Sequence, residues 1–265
     1  MRLPIGTSLG EGRSVELTAE RLINLFAEQA PQSAKSPVVL HGTPGFKAFS
    51  DLGNGEIRGM LKTLNSGTLY VVCTALGTIL GGGRVGMASN GTQVCIAAGA
   101  KGYIYTTTGG LVEITDSGYP GADTVTFIDG FFVFNNKNEA QNGQFFVSAL
   151  NDGTSFNALD FASAERYEDR IVRVFADHSQ LLLFGEESIE IWFNSGAADF
   201  AFSRAQGSVI EQGLGARWSI EKIDESVMWL DQDGIVRRMN GLTPARISTH
   251  AVENAIAKSD WRNAT

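Results

Sequence analysis

Two cysteines, three histidines and six prolines are all that a chain of 265 residues contains of these types, and each scarcity argues against a class of protein. Cys73 and Cys95 lie in apolar runs and belong to no C-x-x-C or C-x-x-H pattern, so buried reduced thiols are expected rather than a disulfide framework. His41, His178 and His250 show no H-x-x-x-H or H-E-x-x-H spacing, which a zinc site on one helical face would need. Long hydrophobic runs are missing too. The longest apolar stretches are strand-sized, short of the roughly 20 residues that span a membrane as a helix. Residues 1–12 lack the apolar core of an export signal, so synthesis and folding in a cytoplasm are expected. Positive charge is sparse: 21 Lys and Arg face 29 Asp and Glu, a formal net of −8. The densest basic spot is the pair Arg237 and Arg238, and tight binding of nucleic acid needs clustered cations to neutralise phosphates.

Glycine, by contrast, is abundant at 31 residues. Together with many β-branched and aromatic residues it describes short strands joined by tight turns. Asn90-Gly91, Asp129-Gly130, Asn142-Gly143, Asp152-Gly153 and Asp233-Gly234 each read as a hairpin signal, because both residue types tolerate a positive φ. Aligning the apolar stretches exposes a weak internal repeat: strand, turn, strongly apolar strand, tight turn, third strand, and a less regular fourth. Copies begin near Glu56, Arg84, Thr124, Arg170 and Arg217, at separations of 28, 40, 46 and 47 residues. In the first copy the three strands read IRGMLKTL, LYVVCTA and GTILG. A four-stranded blade takes about 40 to 50 residues, so the spacing predicts an all-β, propeller-like ring of short antiparallel sheets. Residues 181–184, apolar at every position, predict a sheet with two oily faces that must stack between neighbours.

Residues 1–50 differ in character from the remainder of the chain and read as an extended N-terminal arm and connector, leaving residues 51–265 as the propeller-type body with about five blade-like repeats. The spacing of Ala251, Val252, Ala255 and Ile256 predicts a short helix. No closing strand is evident at the C-terminus, so the expectation is a truncated chain or a ring that a partner completes.

Patterns that carry chemistry elsewhere lack their context here. Gly6-Thr7-Ser8-Leu9-Gly10 fits G-x-S-x-G, yet no strand precedes it and no helix comes after. Gly81-Gly82-Gly83-Arg84-Val85-Gly86 fits G-x-G-x-x-G, but Asn90-Gly91 turns the chain into another strand instead of a helix, leaving no helix N-terminus for a pyrophosphate. Asp231-Gln232-Asp233-Gly234 resembles part of a calcium loop, but with Gly234 at the glycine position Trp229 would open that loop and Asn240 would close it. Glu165, Glu168, Asp169, Glu186, Glu187 and Glu190 could supply the paired carboxylates of a glycosidase, for which the carboxyl separation is decisive. Trp192, Phe193, Trp218 and Trp229 read as packing between sheets, and Trp261 as a contact for another subunit. No catalytic residue, metal or cofactor is expected.

Arg13-Ser14, the run Arg21-Leu22-Ile23-Asn24-Leu25-Phe26-Ala27-Glu28, Pro37, and Leu40-His41-Gly42-Thr43-Pro44-Gly45 resemble the start of the packaged-DNA stabilisation proteins of short-tailed phages, also called tail accessory or tail hub proteins. Similarity continues through residues 83–88, 183–193, 212–216, 229–230 and 247–256. The resemblance implies a non-enzymatic virion protein of the neck or tail that forms a ring, usually of six copies, below the portal and adaptor. It would extend the DNA channel, help retain packaged DNA, and support the tail needle or fibres. Six copies would carry six times −8, or −48, around a duplex bearing one negative charge per about 1.7 Å, so double-stranded DNA would pass without being gripped. Arg21, Asn24, Leu25, Phe26, Glu28, Pro44 and Trp261 are the candidate contacts with other subunits or the adaptor. Two rival readings stand beside this one: a carbohydrate-binding or glycan-cleaving propeller of a tail fibre, and a cytoplasmic interaction scaffold.

Overall fold

The computed structural model describes residues 25–29, 38–42, 56–63, 67–73, 79–164 and 169–263. The chain divides into two units, residues 1–51 with 247–261, and residues 52–246 with 262–265. In the first unit, β1 (Leu25–Gln29) and β2 (Val38–Gly42) form an antiparallel pair with Phe26 opposite His41 and Glu28 opposite Val39. The same unit carries helix α1 (His250–Ala257), as the apolar spacing predicts. Its start is held by Ser248 Oγ, which donates to Glu253 Oε1 at 2.7 Å. Among the described residues no helix is long and apolar enough to cross a membrane.

The second unit is a succession of antiparallel meanders. β3 (Ile57–Lys62) and β4 (Leu69–Cys73) form a two-stranded sheet. Four four-stranded sheets come after it. The first comprises β5 (Gly86–Ser89), β6 (Gln93–Ala98), β7 (Lys101–Thr106) and β8 (Gly110–Glu113). The next comprises β9 (Val125–Ile128), β10 (Phe131–Asn135), β11 (Gln144–Val147) and β12 (Phe161–Ser163). Then come β13 (Ile171–Asp177), β14 (Gln180–Gly185), β15 (Ile189–Asn194) and β16 (Phe202–Ile210). The last comprises β17 (Glu221–Ile223), β18 (Ser226–Leu230), β19 (Val236–Arg238) and β20 (Ala245–Arg246). The fold is all-β and of the propeller type. Among the described residues the first copy shows no third strand: one is expected over residues 77–81, residues 79–81 bend, and residues 77–78 lie outside the described residues.

Side chains alternate across a strand with a period of two, so an entirely apolar strand supplies both of its faces. In β14, Leu181 and Leu183 pack with Val133, Phe145 and Val147 of the preceding sheet. Leu182 and Phe184 turn the other way, onto Val227 and Trp229 of the next one. β10 divides likewise, with Phe132 and Phe134 joining Cys95, Ala97 and Ile104 while Val133 faces β14. β6 places Cys95 and Ala97 on one interface, and Val94 and Ile96 on the other beside Val72. Each gap between successive sheets is thus one apolar cluster, and every buried Leu or Phe in it contributes about 1.5–3 kcal/mol. Both cysteines are free thiols, and full burial pushes that of Cys95 strongly upward.

First strands also meet directly. Val174 N donates to Thr124 Oγ1 at 3.3 Å and Ala176 N to Thr126 Oγ1 at 3.1 Å, tying β13 to the first strand of the sheet before it. Hairpin turns use left-handed backbone where the signals require it. Asp129 and Gly130 have φ of 50° and 88° between β9 and β10, the arrangement of a two-residue turn whose twist matches its strands. Asn142-Gly143 and Asp152-Gly153, read as hairpins from sequence, lie in longer connections. Asn142 ends a 3-10 turn (Glu139–Gln141). Gly153 is a site of close approach, where a Cβ would meet Ile104 Cδ1 at 2.5 Å.

This packing sets two expectations. Leu183→Ala, at a position 1% exposed, is expected to cost about 2–5 kcal/mol in a denaturant titration, through lost transfer energy and the cavity left between two sheets. The second concerns acid. Amides of Gly118 and Phe156 donate to Asp116, and the hydroxyl and amide of Thr154 to Asp152, which holds both carboxyls below the usual range. A lowered folded pKa contributes stability that is complete above the unfolded value and is lost as pH falls through the folded one. Stability should therefore decline below about pH 4, and the double variant Asp116→Asn, Asp152→Asn should show a shallower decline in urea titrations across that range.

Candidate functional site

Because first strands stand side by side, residues at the start of different repeats converge. Arg84 lies two positions before β5, Asp123 two before β9, Arg173 within β13, and Arg217 and Trp218 just before β17. The Arg84 guanidinium sits 5.0 Å from the centre of the Trp218 ring, and that of Arg173 at 5.4 Å. Arg173 also lies 5.7 Å from the Phe175 ring, and its Nη1 donates to the carbonyl of Arg217 at 3.1 Å. Burial lowers the Arg173 guanidinium to about 10; Glu221 acts to raise it and the charge of Arg84 to lower it further. At neutral pH it remains a cation held among aromatic faces, an arrangement favoured by the ring quadrupole. Asp123 balances part of this charge, accepting Arg217 Nη1 at 3.1 Å on one oxygen and Lys137 Nζ at 3.0 Å on the other.

Beside this cluster opens a cavity of about 500 Å³ whose lining includes Arg170, Arg217, Trp218, Glu186, Leu214 and Gln232. Its charge suits an anionic group. Among the described residues Glu186 is the one carboxylate that lines it, whereas glycoside hydrolysis needs two on either side of a bond.

Asp169, Glu190 and Asp231 are engaged in structure. Asp169 accepts from the amides of Glu186 (2.8 Å), Glu187 (3.0 Å) and Ser188 (2.9 Å), and so shapes the turn between β14 and β15. Glu190, 3% exposed, accepts Trp192 Nε1 at 3.0 Å and faces Arg204 at 3.6 Å. Glu165 and Glu168 lie outside the described residues. Asp231 closes its own hairpin: one oxygen accepts from Asp233 N (3.0 Å) and Ile235 N (2.9 Å), the other from Arg237 Nε (2.7 Å). Those bonds occupy the oxygens a calcium ion would need, and among the described residues no group of His, Cys, Asp or Glu could hold a metal. The glycine run at 81–86 leads into β5, not into a helix. Its shape is set by Arg58, 2% exposed, which donates to the carbonyls of Gly83 at 2.8 Å and Ile79 at 2.9 Å. The G-x-S-x-G run at 6–10 lies outside the described residues.

Of the candidate interface residues, Leu25, Phe26 and Glu28 lie on β1, and Trp261 is half-buried at the start of a 3-10 turn (Trp261–Asn263). Arg21, Asn24 and Pro44 lie outside the described residues. The arginine–tryptophan cluster escapes a reading of the sequence because its members are scattered over more than a hundred residues. The available signal is positional: Arg84 and Arg217 mark the starts of repeats. Trp218→Ala is expected to lower stability by about 1–3 kcal/mol, with Trp218→Phe milder, because two guanidinium groups lose their aromatic partner; thermal unfolding of both variants measures the difference.

No curated protein matches the chain. Among solved structures, it is similar to BamB from Moraxella catarrhalis at 11% identity and a TM-score of 0.41, over 63% of this chain and 50% of that one. It is similar to Sqt1 from Saccharomyces cerevisiae at 14% identity and a TM-score of 0.42, over 61% and 45%. It is also similar to the extracellular domain of the one component system BT4673 from B. thetaiotaomicron, at 12% identity and a TM-score of 0.49, over 77% and 29%. The chain thus spans half or less of the length of these three proteins. At the level of families, residues 1–264 match the one described as "Bacteriophage P22 Gp10, beta-propeller". With its repeats folded as successive antiparallel sheets and the family match running along its length, this chain belongs to that family of phage β-propeller proteins.

Proposed function

We propose that this chain is a structural component of the phage particle, seated in the neck or tail as part of a hub below the portal and its adaptor. There it extends the DNA channel, helps to retain the packaged genome, and gives the tail needle or fibres a place to attach. The observation that carries this reading is the match of residues 1–264 to a phage β-propeller family. The chemistry of the chain supports it: the described acidic side chains most suggestive of catalysis, Asp169, Glu190 and Asp231, are bound to amides, an indole and arginines. A net charge of −8 per chain suits a surface past which DNA slides. On this reading the chain assembles as a closed ring, six copies being the expectation, because head-to-tail contacts that do not close would make fibres.

Electron microscopy of particles made with and without the gene tests this directly. Heads that lack tails and lose their DNA are expected without it; intact particles with normal DNA retention would overturn the reading.

A further inference from the structure

Four asparagines in the chain are followed by glycine: Asn54, Asn90, Asn142 and Asn240. Such a pair is open to attack on its own side chain, because glycine has no Cβ to shield its amide nitrogen from the asparagine Cγ. Folding treats the four differently. Asn54 lies outside the described residues. Asn90 is held at both ends of its side chain. Its Oδ1 accepts from the amide and hydroxyl of Thr92 at 2.9 and 3.0 Å and from the amide of Gln93 at 2.7 Å, while Nδ2 donates to the carbonyl of Asn151 at 3.2 Å. The nitrogen that would attack it, that of Gly91, is itself engaged, donating to Ser89 Oγ at 3.1 Å. Asn142 is half-buried, and main-chain bonds fix both members of its pair: the carbonyl of Asn142 accepts from Ile171 N and that of Gly143 from Ala164 N, each at 2.9 Å.

Asn240 has none of this protection. It opens the turn between β19 and β20, where Thr243 N donates to its carbonyl at 3.2 Å. Asn240, Gly241, Leu242 and Thr243 are all exposed. Among the described residues nothing hydrogen-bonds the Asn240 side chain or the Gly241 nitrogen. Gly241 has a φ of 59°, and apart from its chain neighbours no atom lies within 4 Å of where a Cβ on it would stand.

We propose that Asn240 is a site of spontaneous deamidation, with water as the only other reactant. The Gly241 nitrogen, after losing its proton to solvent, attacks Cγ of Asn240. A bond forms between that nitrogen and Cγ, the bond from Cγ to the side-chain nitrogen breaks, and ammonia leaves with a proton from solvent, closing a succinimide ring. Water then opens the ring at either carbonyl. Opening at Cγ leaves aspartate; opening at the main-chain carbon leaves isoaspartate, whose main chain runs through the former side chain and is one carbon longer. Neither an oxidant nor an enzyme enters the balance. β20 pairs through two residues, Arg246 with Arg237 and Ala245 with Arg238, and a turn fixes the register of the strands it joins, so the isoaspartyl form is expected to loosen that pairing.

Incubation of the purified chain at mildly alkaline pH, with peptide mass spectrometry and enzymatic methyl-labelling of isoaspartate, tests the assignment. Asn240 is expected to react at least about tenfold faster than Asn90, because the hydrogen bonds that hold Asn90 must open first, and faster than Asn142. In concentrated urea, where neither turn survives, Asn240 and Asn90 should react at comparable rates. Equal rates at these two positions in the folded chain would overturn the inference, as would a difference that urea leaves unchanged. Asn240→Ser is expected to keep the thermal transition of the chain and to remove the product from that peptide; a deamidated product persisting there would contradict the assignment.

Discussion

A β-sheet with two apolar faces cannot be stable alone, and nearly everything in this chain is a consequence of that. Leu181, Leu182, Leu183 and Phe184 succeed one another in β14 and are all buried, two in the cluster before the sheet and two in the cluster after it. A strand of this kind needs a sheet on either side. β6 and β10 obey the same constraint with smaller or aromatic residues. The requirement passes from sheet to sheet, and each gap becomes a core of its own.

Stacking also decides where polar groups go. First strands come side by side, so the threonine hydroxyls of β9's segment accept amide hydrogens of β13, and the charged residues that open each repeat gather with them. Arg84 and Arg173 share the Trp218 ring, Arg173 also holds the carbonyl of Arg217, and Asp123 ties Arg217 to Lys137. Such groups hold sheets in register with one another. Away from that cluster, Asp116, Asp152, Asp169 and Asp231 accept backbone amides at turns, where ionised carboxylates make strong hydrogen bonds. Acidic side chains thus serve as turn fasteners.

The repeated strand pattern was legible because it is local: apolar runs of strand length, separated by turns with asparagine, aspartate and glycine. α1 was legible for the same reason, through Ala251, Val252, Ala255 and Ile256. Features that depend on distant residues were not. Nothing in the sequence marks Arg58, and only folding brings its guanidinium under the carbonyls of Gly83 and Ile79. Asp169 looks like a candidate acid until the turn at 186–188 closes on it. Asp152-Gly153 carries the same dipeptide as a hairpin, but its glycine answers to Ile104 and Phe132 of other strands. Of the arm contacts, Leu25, Phe26 and Glu28 fall on a strand, which places their backbone and leaves their role to experiment.

The central claim is that these sheets are stable only as a stack. Native-state hydrogen exchange through low denaturant measures it most directly, because amides of β6, β10 and β14 belong to three different sheets. The account predicts that their opening free energies converge on one value, with all three strands opening together. Three separate values, each with its own denaturant dependence and each sheet opening while its neighbours stay closed, would contradict it.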